Sequence, residues 1–158
     1  VVPPTVSGRL THRTDAVARR QAEFAAAGEG TVRLVDPRAV SDERFEQLVA
    51  DALDSIPEEL GEQMENVAIV VADWPTADQL DGRAGTLLGL YEGVDLTRRG
   101  PIGYAGVMPD RITIFKGPLC ARARDEAELA ADVRVTVLHE VGHYFGLSDG
   151  RLGELGWA

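Results

Sequence analysis

Cysteine is nearly absent: Cys120 is the only one in 158 residues, so no disulfide can form within the chain. That usage fits a reducing compartment, and the cytoplasm is the expected location. Long apolar runs are missing too. The longest clear one, Val67 to Ala72, falls far short of the roughly 20 residues that cross a bilayer, so no membrane association is expected. The opening Val1-Val2-Pro3-Pro4 has neither the basic flank nor the apolar core of a secretion signal. Positive charge is short: 16 Lys and Arg against 26 Asp and Glu leave a net charge of -10, which disfavours nucleic-acid phosphate as a partner. Lys116 is the only lysine. With the many Ala, Val and Gly residues, that reads as coding bias of a GC-rich genome and carries no functional signal.

What remains is an ordinary globular composition, 44% hydrophobic and 27% charged, at a length that fits one domain. Residues 1–38 are the least structured in pattern, locally basic at Arg9, His12, Arg13, Arg19 and Arg20. They read as an N-terminal extension to a domain spanning 39–158. Ser41 is a good N-cap, with Asp42 and Glu43 in the first turn. Phe45, Leu48, Val49, Ala52, Leu53 and Ile56 then trace one apolar helix face, up to the break at Pro57. Val67–Ala72 reads as a strand buried on both faces, residues 76–86 as loop, and Leu87–Gly93 as a second strand candidate. An irregular passage follows from Val94 to Pro109, long for a compact domain and therefore functional or mobile. Arg111–Lys116 is a clear strand stopped by Gly117-Pro118, and is a candidate rim to which an extended peptide would add. Asp125 with Glu128 resembles a capping box. The helix it opens is apolar almost all round, at Leu129, Val133, Val137, Leu138, Val141, Tyr144 and Phe145, as a buried helix is.

That helix carries His139-Glu140-Val141-Gly142-His143. Histidines four apart lie about 40° apart around a helix and roughly 6 Å apart along it, so both imidazoles can hold one metal ion. Glu140 falls in the same arc, about 60° from His143, where a carboxylate can serve as base to water on the metal without ligating it. Gly146 can end the helix and let Asp149 return as a third ligand, although an aspartate after a helix end can also cap the next turn. Two of the three histidines in the chain fall in this pattern. His12, the third, has no supporting neighbour.

His-Glu-x-x-His on a helix is the pattern in which two histidines bind zinc and the glutamate acts as general base. Three protein ligands leave a fourth position for a zinc-bound water, whose pKa falls to about 7. Glu140 would take its proton during attack on a carbonyl and pass it to the leaving amine. Tyr104, Tyr144 and Arg151 are candidate donors to the developing oxyanion, with core packing the simpler role for Tyr144. Glu92 is a candidate partner for the far ring nitrogen of a ligand histidine, or else a loop carboxylate pairing with Arg98 or Arg99.

The run His139-Glu140-x-x-His143-x-x-Gly146-x-x-Asp149 resembles the extended zinc motif of snapalysin-like and metzincin-like peptidases, with Asp where metzincins usually have His. The chain is more closely similar to a small bacterial zincin-like metallopeptidase family. The matching pieces are Leu88–Gly93, Pro109–Pro118, Leu138–Asp149 and Leu152–Gly156, in a likeness running from about Phe45 onward. The resemblance implies an α+β fold, a minimal zincin with a small mixed sheet on a buried active-site helix and a second amphipathic helix behind. It implies one zinc ion on His139, His143 and Asp149, with Glu140 as base, acting on a peptide or unfolded segment. Two departures stand out. No methionine follows Asp149, since Met64 and Met108 both lie upstream, so the Met-turn of metzincins is missing. Gly150 stands where an acidic residue is common, which would loosen the loop that holds Asp149.

Two other readings compete with a zinc peptidase. A zinc-binding interaction module without turnover would keep the ligands and make no use of Glu140. A metal-dependent endoribonuclease also spaces two histidines four apart, but normally lacks that glutamate and needs a basic groove that a charge of -10 opposes.

Overall fold

The structure is a computed structural model that describes residues 35–36, 38–82, 85–99 and 108–157. Most of the expected extension and the candidate Tyr104 lie outside those residues. Among the described residues, six helices and a three-stranded mixed sheet make an α+β domain. None of the described helices is long and apolar enough to cross a membrane.

Helix α1 (Asp42–Asp54) starts where the sequence places it, with the Ser41 side chain accepting from the Arg44 N–H. It buries Phe45, Leu48, Val49 and Ala52. Pro57 opens the one-turn α2 (Glu58–Gly61), and strand β1 (Val67–Ala72) follows. Residues 76–86 are not all loop. Thr76 and Gln79 form a complete capping box that starts α3 (Ala77–Leu80), a turn whose signature was present in the sequence.

Strand β2 (Gly89–Glu92) and strand β3 (Asp110–Phe115) complete a sheet ordered β1-β3-β2. Its β1–β3 pair is parallel and its β2–β3 pair antiparallel. This order corrects two expectations. Among the described residues β1 is an edge strand and only partly buried, while β3 at the centre is buried at every residue but Arg111. With a neighbour on each side, β3 cannot be the rim that takes up a peptide; among the described residues β2 is the edge on its antiparallel side. Apolar runs alone do not distinguish a central strand from an edge.

Gly117-Pro118 ends the strand but does not open a loop, because helix α4 (Lys116–Arg122) begins at once. Pro118 is the third helical residue, where its missing N–H leaves no intrahelical bond unmade. Helix α5 (Glu126–Tyr144) is then capped by Asp125, which accepts from the Glu128 N–H. The Glu128 carboxylate reaches one residue further back than a capping box, to the Arg124 N–H at 2.7 Å. Leu129, Val133, Val137 and Val141 of α5 meet Ile112 and Ile114 of β3 and the apolar face of α1 in a single core. Full burial of one such aliphatic side chain is worth about 1.5–3 kcal/mol, so this core fixes α5 firmly against the sheet. The last helix, α6 (Asp149–Glu154), follows after four residues.

Candidate metal centre

The apolar face of α5 leaves His139 and His143 on its flank, half-buried. The turn after the helix does the rest. Gly146, at φ +82°, lets its own N–H reach the His143 carbonyl at 2.9 Å while the Leu147 N–H reaches Gly142 at 2.9 Å. Those two bonds form a complete Schellman cap. No other residue type suits this position. The positive φ disfavours any side chain, and a Cβ would lie 2.7 Å from the Thr97 methyl and 2.9 Å from its hydroxyl. The chain then reverses, Ser148 caps α6 by accepting from the Arg151 N–H, and Asp149 becomes its first residue. Gly150 does not loosen this return, because it already lies inside α6, with nothing nearer to its Cβ position than the Ser148 hydroxyl at 4.0 Å.

Three donor atoms converge as a result. His139 Nε2 and His143 Nε2 are 3.1 Å apart. Asp149 Oδ1 lies 3.5 Å from the first and 3.2 Å from the second. Donors set tetrahedrally at roughly 2.0–2.2 Å from a zinc ion stand about 3.3–3.6 Å from one another. The triangle therefore has the size that one small divalent cation requires.

Ring orientation supports the same fit. His139 Nδ1 donates to the Trp157 carbonyl at 2.8 Å, and His143 Nδ1 donates to the Leu147 carbonyl at 3.1 Å. A carbonyl can only accept, so each neutral ring carries its proton on Nδ1 and presents a bare Nε2 lone pair. Two lone pairs and a carboxylate facing one another are all acceptors, an arrangement a cation resolves. Asp149 keeps 83% of its side chain exposed, so the centre opens to solvent on that side.

Glu140 sits beside the cluster and is only 7% exposed. Burial pushes its carboxyl above the ordinary value, opposed by His139 and His143 and by a hydrogen bond from the Tyr91 main-chain N–H, while Asp149 pushes it up again. Helix α5 comes so close to β2 here that a Cβ at Gly89 would lie 2.7 Å from Glu140 Cγ, 2.8 Å from its Oε1 and 2.9 Å from the Thr136 methyl. Only glycine permits that approach. A cleft of about 340 Å³ lies over these groups, lined by Leu87, Gly89, Leu90, Tyr91, His139, Glu140, His143 and Asp149. The Phe115 N–H donates to the Leu88 carbonyl, so residues 88, 90 and 92 turn their main chain toward β3, and Gly89 and Tyr91 turn theirs toward the cleft.

The other sequence candidates among the described residues do not come here. Tyr144 is fully buried. Its hydroxyl accepts from the Glu65 N–H at 3.0 Å and faces the carbonyls of Gln63 at 3.1 Å and Glu65 at 3.0 Å, so it anchors that loop and is no oxyanion donor. Arg151 is turned to Glu154, 2.6 Å away. Glu92 is exposed and accepts from Gln79 at 3.4 Å; it partners neither histidine, and it pairs with neither Arg98 nor Arg99, whose carboxylates are Asp95 and Asp110. The imidazole partners are main-chain carbonyls instead. Tyr91 adds a support that sequence reasoning missed: its hydroxyl donates to the buried Asp110 at 2.9 Å, next to the Arg99–Asp110 ion pair. Burial and that contact, opposed by Arg99, raise the Tyr91 phenol well above its ordinary value, keeping it a neutral donor and holding β2 beside Glu140.

The zincin-like metallopeptidase family matches residues 64–157, more than half of the chain, and the chain belongs to that family. Among solved structures it is similar to a conserved hypothetical protein from Thermo thermophilus, at 22% identity and a TM-score of 0.47, over 67% of this chain and 94% of that one. No curated protein matches the sequence.

Proposed function

We propose that this chain is a zinc-dependent peptidase in which His139, His143 and Asp149 hold the ion and Glu140 is the general base. The observation that carries the reading is the convergence of three bare acceptor atoms within 3.1–3.5 Å beside a buried carboxylate held by β2. A divalent ion on those atoms supplies Lewis acidity, polarising a carbonyl and acidifying water. The metallopeptidase unit in this reading is residues 39–158, and the substrate is an extended peptide or unfolded segment.

The chain's own groups divide the remaining work. A carboxylate oxygen of Glu140 would take a proton from the water as its oxygen bonds to the carbonyl carbon, and would then return that proton to the amine nitrogen as the C–N bond breaks. Burial favours that transfer by keeping bulk water from competing for the carboxylate. The Tyr91 N–H restrains it, and Gly89 lets β2 lie against it. The Gly89 main-chain groups and the Tyr91 carbonyl, which turn to the cleft, support an extended substrate lying beside β2, in the role first expected of β3. Leu87 and Leu90 along the same wall favour apolar side chains next to the scissile bond.

The test is a pool of quenched fluorescent peptides. Wild type with bound zinc is expected to cleave members of the pool, and a chelator to stop it. Glu140→Gln should retain zinc and lose turnover by at least about 100-fold, the lower range of general-base contributions. Full zinc occupancy with no cleavage of any peptide would refute the peptidase and leave the zinc-binding module.

A further inference from the structure

Helix α6 ends as α5 does. Gly156 lies at φ +74°. Its N–H donates to Gly153 at 3.1 Å, and the Trp157 N–H donates to Leu152 at 2.9 Å, a second Schellman cap. In both caps the residue just after the left-handed glycine gives its carbonyl to a ligand histidine: Leu147 to His143 and Trp157 to His139. The second cap is brought into range by Leu152. That side chain is fully buried and occupies the space a Cβ at Gly142 would need, so α6 lies directly on the turn of α5 between the two histidines.

We propose that the Gly156-Trp157 cap is a positioning element of the metal centre, fixing His139 as the Nδ1–H tautomer through the Trp157 main-chain carbonyl. This rests on the zinc reading above for its purpose, although the tautomer itself needs no metal. The indole has no part in the contact. What matters is the left-handed turn at Gly156 and the N–H of residue 157, which together aim the carbonyl. Nothing lies within 4 Å of a Cβ at Gly156, so a substitution there meets only the backbone preference: asparagine tolerates a positive φ and a β-branched residue does not.

Four variants of the full chain test it: Trp157→Ala, which keeps the N–H and carbonyl; Trp157→Pro, which loses the N–H; Gly156→Asn; and Gly156→Val. The first readout is histidine ring ¹⁵N shifts in metal-free protein, about two pH units above the ordinary imidazole pKa of about 6.5. The second is zinc affinity by competition with a chromophoric chelator. Wild type, Trp157→Ala and Gly156→Asn should show both ligand histidines protonated on Nδ1. Trp157→Pro and Gly156→Val should lose that preference at His139 and keep it at His143, with zinc bound roughly 10–100-fold more weakly. If Trp157→Pro fails to fold, the Gly156 pair carries the comparison alone. Gly156→Val with a wild-type His139 tautomer overturns the proposal, as does Trp157→Ala losing that tautomer. An ordered tautomer without zinc binding by wild type would sink the metal reading and leave the cap intact.

Discussion

Gly89→Ala tests whether the proposed base can be disturbed without disturbing the proposed metal ligands. A methyl carbon there would lie 2.7–2.9 Å from Glu140 Cγ, Glu140 Oε1 and the Thr136 methyl, whereas uncrowded carbon contacts sit at about 3.5–4.0 Å. Something must yield by about 0.8 Å. Helix α5 cannot supply that, because its opposite side is locked in the core by Val133, Val137 and Val141. Strand β2 is tied to β3 along its length, so the cheapest movement is a rotation of the Glu140 side chain away from Tyr91. That relieves most of the overlap but gives up a hydrogen bond to a carboxylate, worth about 1.5–3 kcal/mol. Keeping the rotamer would instead incur overpacking of about 1–3 kcal/mol. Either route predicts a stability loss of about 1–3 kcal/mol, a modest part of the roughly 5–15 kcal/mol of a typical domain.

The effect on turnover should be far larger, since misplacing a reacting group by about 1 Å can cost 100-fold. Zinc affinity should be unchanged, because the three atoms nearest a Cβ at residue 89 belong to Glu140 and Thr136 and none is a donor atom of His139, His143 or Asp149. Urea denaturation, chelator competition and the fluorescent peptide pool measure the three quantities on one preparation. A variant that keeps full activity would refute the tight approach of β2 to Glu140. Zinc and activity lost in the same proportion would show that the base and the ligands are not separable in this way.

Two further outcomes follow from the same coordinates. Asp149 is largely exposed, so Asp149→Ala should leave metal-free stability within about 0.5 kcal/mol; wild type in zinc at 100 times its Kd should gain about 2.7 kcal/mol, some 5–10 °C in melting temperature for a chain of this size, and the variant should show little of that rise. Cys120 is fully buried, and burial raises its thiol above the ordinary value, with Lys116 opposing and Asp36 adding to the shift. A raised folded-state value means that the stability from the neutral thiol is complete below the unfolded value of about 8.5 and is lost as pH climbs toward the folded one. Denaturation midpoints measured under reducing conditions from neutral to alkaline pH should therefore fall more steeply in wild type than in Cys120→Ala, and parallel curves would contradict the burial.

The parts of this site that depend on helical period were readable in advance, and those that depend on main-chain direction were not. His139, Glu140 and His143 share an arc because of 3.6-residue geometry, and Gly146 marks a stop because a left-handed turn favours glycine. Ser41 and Asp125 cap helices for equally local reasons. The identity of the edge strand is different, since β1, β2 and β3 sort themselves by partners distant in sequence. Carbonyls carry no side-chain signature either, so the imidazole partner read from sequence is Glu92, a carboxylate, when the partners are the main chains of Leu147 and Trp157. A trace of both was nonetheless present. Gly146 and Gly156 stand at corresponding places behind consecutive helices, and each is followed at once by the carbonyl a ligand needs. Reading glycines as directors of the next peptide, and not only as helix stops, would have found them. The same logic accounts for an exposed aspartate in a well-formed triangle. Asp149 needs little packing of its own because the Gly146 cap and the Ser148 cap leave the connecting turn few alternatives, and the geometry is held by backbone bonds on both sides of it.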